Sequence, residues 1–174
     1  MSREDLYAEA DSTFGAAIER LARGYERDPD RASDLVQEIH IALWLSLSRF
    51  EGRCSLRTWV YRVAHNTAMS KSIRREANRP LMLSFDADLE SFGLSSPFTG
   101  ETDLDRRMAT DRLYLLIQKL RPLERQVILL YLEEESAASI AEITGLSAAN
   151  VATKIGRIKV LLTRWFQQGV HDEG

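Results

Sequence analysis

Cysteine is nearly missing: the 174-residue chain holds one, Cys54. No intrachain disulfide can form, which points to the reducing cytoplasm. Long apolar runs are missing too, and none approaches the ~20 residues that span a bilayer. The opening Met1-Ser2-Arg3-Glu4-Asp5 lacks the apolar segment of a signal peptide. His40, His65 and His171 show no metal-ligand spacing. Glu38 and His40, two positions apart, would point to different faces of a helix. No phosphate-cradling glycine loop is present, no nucleophile beside a base, and no pair of catalytic carboxylates. The expectation is a protein without metal, cofactor, membrane insertion or chemistry of its own. Strand-like alternation and internal repeats are absent as well.

What the chain does have is charge, unevenly distributed. The net charge is −3. Residues 80–105 carry six acids (Asp86, Asp88, Glu90, Glu101, Asp103, Asp105) and no base. Arg62 to Arg79 holds five Lys/Arg against Glu76 alone, and Ser147 to Gln168 holds Lys154, Arg157, Lys159 and Arg164 with no acid. Two basic helices thus flank an acidic connector. Phosphate backbones attract such helices through counterion release.

Apolar residues recur at helical spacing. Leu6, Ala10, Phe14, Ile18, Leu21 and Tyr25 predict a first helix. Asp28-Pro29 starts a second that runs to about Arg49, with Leu35, Ile39, Ala42, Leu43 and Leu47 on one face. Ser55 caps a third carrying Leu56, Trp59, Val60, Val63 and Thr67, and Pro80 ends it. Met108, Leu113, Leu116, Ile117 and Leu120 mark a fourth. Pro122 opens a fifth with Leu123, Val127, Leu130 and Tyr131. Next come two short helices joined at Gly145, a residue suited to positive φ. Ser147 can cap the second of them, which runs to about Phe166. Its buried stripe is Val151, Ile155, Ile158 and Leu162. This layout is a helix-turn-helix, whose second helix enters the major groove. The fold class is all-α: two small helical domains, residues 1–80 and 106–170, joined by an acidic linker over 81–105.

Two further stretches carry a family resemblance. Asp34-Leu35-Val36-Gln37-Glu38, then Trp44, Phe50-Glu51-Gly52 and Ser55-Leu56-Arg57-Thr58-Trp59-Val60-Tyr61-Arg62-Val63-Ala64 resemble the second conserved region of extracytoplasmic-function sigma factors of bacterial RNA polymerase. Leu120-Arg121-Pro122-Leu123-Glu124-Arg125-Gln126-Val127 and the helix-turn-helix resemble their fourth. The large first and third regions of housekeeping sigma factors are absent.

The resemblance implies a promoter-specificity subunit that binds core polymerase through its β′ clamp helices and its β subunit. Asp34, Gln37 and Glu38 would dock on the clamp helices, with Leu35 and Val36 offering apolar contact or core packing. The loop Phe50–Ser55 would form the pocket for a flipped base of the −10 element, using Phe50, Gly52 and Arg53. Arg62, Asn66, Lys71, Arg74 and Arg75 would follow along the next helix, with His65 and Met69 on the same side. Trp59 is either a stacking platform or, in phase with Leu56 and Val63, part of the core, and the phase favours the core. Ser147, Ala148, Ala149, Asn150, Thr153, Lys154 and Arg157 would meet the −35 element. There an asparagine suits adenine and a basic side chain suits guanine or phosphate.

The connector would thread the polymerase channel later filled by RNA, and six acids suit a positive channel. Ser33 stands where the family often has an acid, and its phosphorylation would restore that charge. The implied partners are core polymerase, promoter DNA and an anti-sigma protein, with a monomer as the free state. Promoter binding would be poor until polymerase holds the domains apart. The alternative is a stand-alone dimeric helix-turn-helix regulator. A metal-dependent nuclease is a remoter one, for want of a ligand cluster.

Overall fold

The structure is a computed structural model and describes residues 1–77 and 102–171. Among them are seven helices, each placed by signals legible in the chain. Helix α1 (Arg3–Tyr25) opens on a capping box in which Ser2 and Asp5 satisfy each other's backbone N–H groups. Helix α2 (Pro29–Leu47) has Asp28 accepting from Asp30 and Arg31, and proline at its first position. Helix α3 (Leu56–Glu76) is capped by Ser55. These three pack Phe14, Ile18 and Leu21 against Leu35, Ile39 and Leu43, and against Val60, Tyr61 and Ala64.

The second bundle is α4 (Asp103–Ile117), α5 (Pro122–Leu132), α6 (Ala137–Thr144) and α7 (Ala148–His171). Its core is Ile117, Leu120, Val127, Leu130, Ile140 and Ile143 with the expected stripe Val151, Ile155, Ile158 and Leu162. Between α6 and α7, Gly145 adopts φ 80° and its N–H closes on the Ala141 carbonyl at 2.9 Å. Ser147 then accepts from the N–H of Asn150 at 3.2 Å. Helix α7 continues past the expected end near Phe166 to His171.

Two members of the expected apolar faces lie outside. Met108 is 63% exposed and Tyr131 36%. Most of the connector, including Asp86, Asp88, Glu90 and Glu101, lies outside the described residues. Its last two acids, Asp103 and Asp105, form the first turn of α4. There they complement the positive end of the helix dipole.

The two bundles share one continuous core. Gly24 of α1 is the point of closest approach: a Cβ there would lie 2.6 Å from both methyl carbons of Leu129 on α5. Only a residue without a side chain lets the helices come this near. The buried Arg125 of α5 reaches across, with Nη1 donating to Ser72 Oγ at 2.6 Å and its guanidinium 6.0 Å from the Tyr25 ring.

Candidate DNA and polymerase interfaces

Helix α7 separates its faces cleanly. Val151, Ile155, Ile158 and Leu162 are buried, while Ala148, Ala149, Asn150, Thr153 and Arg157 are exposed. Short side chains on the first turn permit close approach to a groove, and Asn150 and Arg157 supply polar reach beside them. Lys154 is half-buried and leans back to Glu124, 3.5 Å away. Ser147 is committed to capping the helix. Thr153 donates to the Ala149 carbonyl at 3.0 Å.

The surface of α3 is different, because most of its cations already have partners. Arg62 donates to the backbone carbonyl of Glu142 on α6 at 2.9 Å. Lys71 meets Glu38 at 2.7 Å. Asn66 and Arg74 are exposed. In the loop before α3, Gly52 takes φ 72° and Arg53, almost fully exposed, pairs with Glu51 at 2.6 Å. Phe50 packs edge-on against Trp59, with ring centroids 5.5 Å apart, and Trp59 Nε1 donates to Ser46 at 3.2 Å. The indole is therefore a half-buried prop beneath the loop.

On α2, Asp34, Gln37 and Glu38 share an exposed face. The same face continues into Ile41, 61% exposed, and Leu45, 62% exposed. Helical spacing held the clue, since neither residue fits the Leu35–Ile39–Leu43 stripe.

The chain matches the family descriptions Sigma-70 region 2 over residues 12–79 and Sigma-70, region 4 over residues 110–162. It belongs to the sigma-70 family, in its two-region, extracytoplasmic-function form. Among its relatives is RNA polymerase sigma factor YlaC of Bacillus subtilis (strain 168), 29% identical over 136 residues, which are 78% of this chain and 77% of that one. Another is RNA polymerase sigma factor NccH of Alcaligenes xylosoxydans xylosoxydans, 26% identical over 155 residues, 88% of this chain and 82% of that one. A solved structure described as CnrH in complex with the cytosolic domain of CnrY shares the fold. Its TM-score is 0.66 at 21% identity, over 93% of this chain and 88% of that one. The chain is an RNA polymerase sigma factor that directs transcription initiation. These likenesses favour that reading over a stand-alone regulator.

Three sequence expectations about this sigma factor need correction. Leu35 is fully buried, so it cannot touch polymerase; it lies beneath the exposed face of Asp34, Gln37 and Glu38. His65 is 1% exposed and faces Tyr25, whose hydroxyl lies 3.3 Å from Nδ1. Burial pushes its imidazole down to about 3, because nothing nearby compensates a buried charge. Arg75 holds the carboxylate of Glu26, whose side chain is 4% exposed, at 2.6 Å. Moving it onto a phosphate would strand a buried anion.

Arg57 and Arg20 carry ion pairs across the two bundles, and sequence reasoning missed both. Their partners lie 78 and 113 residues away, beyond any local spacing signal. Among the described residues no cluster of three or more His, Cys, Asp or Glu could hold a metal ion. None of the helices there is long and apolar enough to cross a membrane.

Proposed function

We propose a division of labour among three surfaces of this sigma factor. The N-terminal bundle, residues 1–80, docks on the polymerase β′ clamp helices through Asp34, Gln37 and Glu38, with Ile41 and Leu45 adding apolar contact. The loop Phe50–Ser55 with Arg62 and Asn66 takes the melted −10 strand, with Lys71 and Arg74 near its phosphates. Residues 106–170 place Ala148, Ala149, Asn150, Thr153 and Arg157 in the major groove of the −35 element. Residues 81–105 join the two and occupy the polymerase channel. Two DNA contacts in series on one chain raise effective concentration. The protein works in the cytoplasm, performs no chemistry and needs no cofactor. A protein inhibitor is a further partner, supported by the similar CnrH structure, which holds a second protein's domain.

The observation that carries this reading is the two-faced α7, apolar where it meets α5 and α6 and exposed at Asn150, Thr153 and Arg157. Reconstituted run-off transcription with core polymerase and genomic promoter fragments tests it. Transcripts are expected only with the protein, and their loss with Gln37→Ala plus Glu38→Ala. Transcripts unchanged by that double substitution would move the docking site elsewhere.

A further inference from the structure

The window from Ser147 to Gln168 holds four bases and no acid, yet the fold does not leave those bases alike. Arg157 is exposed. Lys159 donates to the Tyr131 hydroxyl at 2.5 Å and lies 4.2 Å from the centroid of that ring. Lys154 is held by an acid from 30 residues earlier in the chain. Its Nζ lies 3.5 Å from Glu124 Oε1, and each side chain is 25% exposed.

Glu124 is itself fixed in place. It stands in the first turn of α5, where no side chain caps the helix, so the free N–H groups and the helix dipole favour a carboxylate there. Its Oε2 is buried without a hydrogen-bond partner among the described residues. The pair borders a groove of about 600 Å³ with Met69, Ile73, Pro122 and Leu123 in its walls. Apolar walls screen the attraction less than water does. Drawing Lys154 away would leave a half-desolvated carboxylate without this cation.

Positions 150, 154 and 157 share one flank of α7. An extended Lys154 would therefore reach the DNA backbone beside Asn150 and Arg157. We propose that Glu124 is a positioning residue for the −35 contact, one that withholds Lys154 from the phosphates. Helix α7 then presents Asn150, Thr153 and Arg157 without it, and its sequence-independent affinity stays low. The proposal rests on the assignment of α7 to the major groove. A lysine on a phosphate strengthens binding to every sequence alike and carries no sequence information. For a protein that must find one promoter element, that contact would add binding to bulk DNA and nothing to the choice of site.

The salt dependence of binding reports the number of phosphate contacts, which a purely structural role for Glu124 would not move. Fluorescence anisotropy with the full-length protein and a labelled duplex of random sequence measures it. Glu124→Gln keeps the shape of the side chain. It should steepen the slope of log affinity against log salt by about 0.9, the worth of one phosphate contact, and tighten binding several-fold at low salt. Adding Lys154→Met should return the slope to that of the wild type. The control is Glu142→Gln, which removes the same charge from an exposed side chain on α6 and should leave the slope nearly unchanged. If circular dichroism shows that Glu124→Gln fails to fold, Glu124→Ala takes its place.

An unchanged slope in Glu124→Gln overturns the proposal. So does a slope that stays steep in the double variant, or an equal gain in Glu142→Gln. A flattening by about 0.9 from Lys154→Met alone would put Lys154 on a phosphate already, with the same result. Arg157→Ala separates these failures from failure of the assignment beneath them. If it weakens duplex binding while Glu124→Gln changes nothing, α7 meets DNA and the role of Glu124 falls alone. If neither variant changes binding, the assignment of α7 falls with it.

Discussion

Helices α3 and α7 are both basic and both are proposed here to meet DNA, yet the fold treats them in opposite ways. Helix α7 buries a clean apolar stripe and leaves Asn150, Thr153 and Arg157 exposed. Helix α3 is packed on several sides: Val60, Tyr61, Ala64 and His65 are buried, and Arg62 and Arg75 bond elements other than their own. The difference follows from position. The second helix of a helix-turn-helix packs at one side only, whereas α3 touches α1 and α2 on one flank and α5 and α6 on the other. A density of positive charge is therefore not a map of where DNA binds. Some of those charges bond one bundle to the other.

The strongest challenge to this contrast is the seam itself. Leu129→Ala should destabilise the chain by about 2–5 kcal/mol, because it removes buried methyl groups where α1 and α5 are closest. Urea denaturation followed by far-UV circular dichroism measures it. A loss below about 1 kcal/mol would show that the bundles share little packing energy.

Next come the two DNA faces. Arg157→Ala should weaken binding of region 4 to its −35 duplex by about 1–3 kcal/mol. It should change stability by less than about 0.5 kcal/mol. Arg62→Ala should do the reverse in the free protein, shifting compactness before any DNA is added. Scattering and fluorescence anisotropy on both variants would erase the contrast if they behaved alike.

His65 sharpens the comparison through pH. Its folded pKa lies below the ordinary value of 6.5, at about 3, so the fold favours the neutral ring. The unfolded chain binds the extra proton between these values. Stability is therefore fully present above pH 6.5 and falls as pH drops below it, by up to about 1.4 kcal/mol per unit. By pH 5 the loss should reach roughly 2 kcal/mol, and His65→Gln should flatten that acid limb. A wild-type denaturation midpoint constant from pH 7 to 5 would contradict the buried, neutral ring.

The smallest effect belongs to α7. Ser147→Ala removes its N-cap and should cost about 1 kcal/mol, read as a lower thermal midpoint. The −35 affinity should fall with it, since the cap orders the first turn that carries Asn150.

Helix starts were the most legible part of the chain. Asp28-Pro29, Ser55 and Pro122 stand where α2, α3 and α5 begin. Gly145 and Ser147 likewise marked the turn and cap of the helix-turn-helix. Periodicity identified the stripe of α7 in full, because that helix packs on one side. It failed at His65 and Met108 because a pattern of apolar positions shows which residues share a face, not how many faces are covered.

The sequence by itself determined the helices, the Gly145 turn and the family, since capping, dihedral freedom and 3.6-residue periodicity act within a few neighbouring residues. Tertiary structure alone decided which cations remain available. Arg20 and Glu133, 113 residues apart, or Arg62 and Glu142, 80 apart, meet only once the bundles close around Gly24. Charge acts through distance in space, and distance in space is what the fold sets.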